Sequence, residues 1–66
     1  MGIKAQILDA IQAVDEARVA IRVAISHITI YQESGVYEKA VLVAIDEAIA
    51  ACEEAQVRIG VVRAAA

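Results

Sequence analysis

The sequence of 66 residues has no proline, no phenylalanine and no tryptophan, and it carries one cysteine, one histidine and three glycines. Each shortage removes a class of structure. Without proline nothing breaks a backbone hydrogen-bond ladder, so helices can run as long as packing supports them. A single cysteine, Cys52, permits neither an intrachain disulfide nor a multi-thiolate metal cage. That excludes disulfide-stapled secreted scaffolds and makes a reducing, cytoplasmic setting the expected one for a natural chain. Six Lys and Arg against nine Asp and Glu leave a formal charge of −3, which offers no electrostatic footprint for nucleic acid or an anionic membrane. Long apolar runs are missing too, because Asp9, Asp15, Arg18, Arg22, Glu33, Asp46 and Glu53 interrupt throughout; a spanning helix needs roughly 20 apolar residues. The start Met1-Gly2-Ile3-Lys4 does not resemble a signal peptide, so a soluble chain is expected. A chain this short buries at most roughly 60% of its unfolded surface, which excludes a large multilayer enzyme fold.

What is present is aliphatic and repetitive. Hydrophobic residues make up 61% of the chain, with 15 Ala, 10 Ile and 9 Val against 2 Leu. Alanine favours helix, whereas β-branched residues lose rotamer freedom there, so packing rather than propensity must hold such helices. The one strong punctuation mark is Ser34-Gly35, flanked by Tyr31 and Tyr37, between two segments of similar length. In the first segment Ile7, Ile11, Val14, Ile21, Ile25 and Ile28 follow alternating steps of four and three, with Arg18 in the remaining place. That is the spacing of one helical stripe. Beside it runs a row of Ala10, Ala13, Ala17, Ala20 and Ala24. The second segment places Val41, Ala44, Ile45, Ala48, Cys52, Ala55 and Ile59 on one face, with Lys39, Asp46, Glu53 and Val57 near the opposite one. The spacing predicts an all-α antiparallel helical hairpin in one domain over residues 1–66, with a helix at 3–33, a turn at 34–35 and a helix at 36–63.

A shift of 31 residues carries Ala13, Asp15, Glu16, Ala17, Ala20, Ala24 and Ile28 onto Ala44, Asp46, Glu47, Ala48, Ala51, Ala55 and Ile59. This weak internal repeat predicts that both helices bury equivalent faces. Folding back about Gly35 pairs residue i with about 70 minus i. Arg18 and Arg22 are then expected beside the acidic pairs at 46–47 and 53–54, Arg58 beside Asp15-Glu16, Gly60 opposite Ala10 and Ala50 opposite Ala20. Glu54 and Arg58 add an i, i+4 pair along the second helix.

A strand reading competes, because Val19, Ile21, Val23 and Ile25 alternate with Ala20, Arg22, Ala24 and Ser26, and residues 57–61 look similar. An αβαβ chain would follow. Helix is the better fit, since the alternation rests largely on Ala and no turn signal precedes residue 19.

Two helices have one contact seam, yet apolar residues extend well outside it, with Val19, Val23 and Ile30 on the first helix and Val43, Val57 and Val61 on the second. Contiguous exposed apolar surface usually marks an interface, and chains below about 70 residues seldom gain enough stability from one core. The expected partner is therefore a second copy of the chain, in a four-helix bundle or a larger helical assembly. Its interface is expected to use Val19, Ile21, Val23, Ile25, Ile28, Ile30, Val43, Val57 and Val61.

Chemical constellations are sparse. His27 with Tyr31 and Tyr37 is the most polar-functional group of residues, but nothing is placed to complete a nucleophile and base pair with it. A carboxylate di-metal centre in a bundle requires Glu followed three residues later by His. The residues three past Glu16, Glu47, Glu53 and Glu54 are Val19, Ala50, Gln56 and Val57. Cys52 falls on the apolar stripe, where a free cysteine acts as a small hydrophobe. Gly-rich phosphate loops, zinc spacings and nucleophile elbows are absent. No catalytic residue, cofactor, metal, nucleic acid, membrane or small-molecule substrate is expected.

The run from Tyr31 to Ala40 resembles the inter-helix turn of tetratricopeptide-type hairpins, with its Tyr, Gly, aromatic and Ala at that spacing. The resemblance covers about ten residues and implies a tight turn. The helices are too long for that family, so peptide binding does not carry over. The gross layout is also similar to plasmid-encoded RNA-binding hairpin dimers, but no convergent basic or aromatic face accompanies it. The expected role is thus that of a non-enzymatic, self-assembling structural hairpin; its near-repeat and narrow packing vocabulary also suit a designed protein. The alternative is an interaction module that lays its apolar stripe against a partner helix.

Overall fold

The computed structural model describes residues 2–66, which form two α-helices, α1 (Ile3–Ser34) and α2 (Glu38–Ala65), packed antiparallel as a rod of 49 × 13 × 13 Å. Both stretches that alternate like strands, 19–25 and 57–61, are helical. Side-chain hydroxyls in the first stretch and just beyond it are accommodated within the helix. Ser26 donates to the Arg22 carbonyl at 3.1 Å and Thr29 to the Ile25 carbonyl at 2.9 Å. Residues that could compete with the helix for backbone partners instead bond back onto it.

The turn is set by two left-handed residues. Gly35, at φ 69°, ends α1 and donates its N–H to the Tyr31 carbonyl at 2.7 Å, the single-bond form of a left-handed helix cap. Tyr37 also has a positive φ, 67°, which a non-glycine residue seldom adopts. Val36 and Tyr37 therefore belong to the turn, and α2 begins at Glu38 rather than at residue 36. At the other end α2 runs to Ala65, since the closing alanines supply no stop signal.

The buried residues of the seam are all alanine. Ala10, Ala13, Ala17 and Ala24 of α1 and Ala44, Ala48 and Ala55 of α2 are the buried residues, and no described side chain is completely buried. All of them except Ala10 fall into two clusters. Ala13, Ala17 and Ala55 pack with Val14, Ala51 and Cys52, while Ala24, Ala44 and Ala48 pack with Ala20 and Ile45. The shift of 31 residues carries the first cluster onto the second: Ala13, Ala17 and Val14 fall on Ala44, Ala48 and Ile45, as Ala20 and Ala24 fall on Ala51 and Ala55. The repeat in the sequence is thus a two-fold repeat of the packing.

Two expected close approaches are not made. Gly60 and Ala50 are exposed, and a Cβ placed on Gly60 would meet nothing within 4 Å. In the described part of α2, Ala44, Ala48, Ala51 and Ala55 supply the small-residue side of the seam, and their spacing turns Ala50 and Gly60 outward.

Candidate self-association surface

Because alanine fills the seam, the isoleucine stripe lies beside the seam rather than in it. Ile21 remains 40% exposed and Ile25 56%. On this flank Ile21, Ile25 and Ile28 of α1 line one groove together with Ile45, Ile49 and Cys52 of α2, and Glu53 and Gln56 share its wall. Farther from the turn Ile7, Ile11 and Val14 meet Ile59 and Val62 in a second groove along the same stripe. Burying a methyl of alanine contributes on the order of 0.8 kcal/mol, whereas full burial of an isoleucine contributes about 1.5–3 kcal/mol. About half of the surface of the flanking isoleucines is therefore still open to water in one hairpin.

The surface area gives the same result. A compact monomer of 7.0 kDa is expected to expose about 4,000 Å². The hairpin exposes 5047 Å². The excess, about 1,000 Å², is close to the roughly 800 Å² per partner that a standard stable interface removes from water.

The nine residues expected at an interface are divided between the two flanks of the rod. Ile21, Ile25 and Ile28 share the isoleucine groove. Val23 and Val43 line a different one, with His27, Lys39 and Glu47. Val19 sits among Asp15, Arg18 and Arg22, and Val61 lies beside Asp9 and Arg58. Ile30 and Val57 are exposed at 45% and 59%. Sequence spacing missed Ile49 and Ile59 as exposed residues, whereas Ile45 is half-buried against the alanines, because a stripe looks the same whether it faces the seam or flanks it.

Ion pairs lie along the exposed surface of the rod. Arg58 donates to Glu54 at 2.8 Å, the expected i, i+4 pair, and reaches across the seam to Asp9 at 3.1 Å. Asp9 takes the place expected for Asp15-Glu16, since it lies on the flank that Arg58 faces. The hydrogen bond to Glu54, with the nearby charge of Asp9, pushes the Arg58 guanidinium still higher than an ordinary arginine. Arg18 does not reach the acids of α2 and pairs instead with Asp15 at 3.7 Å, both side chains well exposed.

His27 lines the Val23 and Val43 groove, which neither Tyr31 nor Tyr37 enters. Among the described residues no three His, Cys, Asp or Glu side chains gather closely enough to hold a metal ion. No helix among them is long and apolar enough to cross a membrane. No family model matches the chain, and no curated protein or solved structure matches it either.

Proposed function

We propose that the chain is a non-enzymatic, self-associating helical hairpin with a structural role, two copies burying their isoleucine flanks against one another in a four-helix bundle. One observation carries this reading. The core within the chain consists of alanines, while Ile21, Ile25, Ile49 and Ile59 stay 40–56% exposed on one flank. Native mass spectrometry at micromolar concentration tests it, with a dimer or larger species expected. A stable monomer at that concentration contradicts it.

The second reading, a module that lays Val19, Val23 and Ile30 along a partner helix, has the exposure of these residues in its favour. Charged neighbours interleave them, however, with Arg18 and Arg22 at Val19 and Lys39 and Glu47 at Val23. The isoleucine flank is the more continuous apolar surface.

A further inference from the structure

We propose that the second copy docks on the isoleucine flank with its turn at the same end, related by a two-fold axis along the length of the bundle, so that Arg18 of each copy meets Glu53 of the other. This arrangement rests on the self-association reading above.

The reasoning starts from register. Ala13 packs with Ala55, and Ala24 with Ala44 and Ala48, so residues whose numbers sum to about 70 lie level across the seam. On the isoleucine flank this makes Ile11 level with Ile59, Ile21 with Ile49, and Ile25 with Ile45. Face-to-face docking of two identical hairpins admits two dyads in the plane of contact. A dyad along the rod leaves every residue at its own height and lays α1 of one copy over α2 of the other. Each isoleucine pair then meets its own counterpart, giving layers of four isoleucines. A dyad across the rod reverses heights and lays α1 over α1 with the turns at opposite ends.

Arg18 separates the two. It lies near the midpoint of α1 (Ile3–Ser34) and occupies the one non-aliphatic place in the stripe, at the outer edge where Asp15, Val19 and Arg22 adjoin it. With the dyad across the rod and the two lengths fully overlapped, Arg18 faces Arg18 of the partner at the centre of the contact. Like charges placed there oppose association. With the dyad along the rod, Arg18 comes level with Cys52 and Glu53 of the partner copy. Glu53 lines the isoleucine groove and makes no ion pair among the described residues. Arg18 has only an exposed, long contact with Asp15 to give up. Both charges are therefore available, and the pair forms twice in each dimer.

The test is a distance between copies. A spin label at Glu33→Cys in a Cys52→Ala background sits in the last turn of α1. Turns at the same end put the two labels within about two helix diameters, ~25 Å. Turns at opposite ends put them on the order of 45 Å apart. A dimer with the short distance supports the proposal, and a dimer with the long one overturns it while leaving self-association standing. A monomer without coupling between labels overturns both. Charge exchange supplies the second measurement, without a label. Arg18→Glu and Glu53→Arg should each raise the dimer dissociation constant by at least about tenfold, and an equimolar mixture of the two variants should recover the wild-type value. Failure of the mixture to recover contradicts the Arg18 to Glu53 pairing.

Discussion

Tyr37 occupies a left-handed conformation that costs a residue with a Cβ about 1–2 kcal/mol, and its side chain is 70% exposed, so little packing compensates. Asparagine tolerates that conformation and is also a favoured N-cap. Tyr37→Asn should raise stability by about 1 kcal/mol, read as an upward shift in the urea midpoint at constant slope. Gln6 presents a different local conflict. Its Oε1 is buried with no hydrogen-bond partner among the described residues. Leaving such an acceptor unmet costs roughly 1–3 kcal/mol, and an apolar replacement removes the cost. Gln6→Leu should therefore stabilise the hairpin by about 1 kcal/mol in the same assay. Arg58 shows the opposite situation, a cation held charged by Glu54 first and then Asp9. A cationic group whose pKa is raised on folding contributes stability that is lost only as pH rises through the folded value. The contribution is whole below the ordinary arginine value, so titration of Arg58 removes no stability in mild alkali. A melting temperature that falls between pH 8 and pH 10 in the wild type but not in Arg58→Met would contradict this.

At the level of the helices, much was legible in the sequence. Spacing of Ala and Ile gave two helices, and Ser34-Gly35 gave the reversal. The shift of 31 residues corresponds to the two-fold packing, because alanines at equivalent positions are the ones that touch. Two things were not legible. A helical stripe has a direction only relative to a neighbour, so Ile7 to Ile28 read equally well as seam or flank. The choice fell to alanine because two long rods approach most closely over small side chains, and a close approach satisfies the full length of both helices at once. Ion pairing was the other, since long side chains choose among several acids within reach, and Arg58 found Asp9 rather than Asp15. Seam and flank can be told apart by substitution. Ala17→Leu should overpack the seam and cost about 1–3 kcal/mol in denaturant unfolding. Ile21→Asp should leave far-ultraviolet helix content largely intact in the dissociated chain yet abolish association, since Ile21 is already 40% exposed in one hairpin. Retained assembly in Ile21→Asp would place the interface on the other flank.

The whole molecule is a rod 49 Å long and 13 Å across, whose Cα radius of gyration of 15.1 Å well exceeds the roughly 11 Å of a compact chain of this length. Such a shape gives each residue little interior. The proposed association along the isoleucine flank would turn two thin rods into one body with a core thick enough to enclose large side chains. Sedimentation equilibrium of the wild-type chain from about 1 to 100 µM asks directly whether this happens. We expect a mass of twice the 7.0 kDa chain mass or more across most of that range, falling toward the chain mass only on dilution. A constant mass of 7.0 kDa at every concentration, from a chain that is still helical and unfolds cooperatively, would show that a lone hairpin is sufficient and that the isoleucine flank has no second copy to meet.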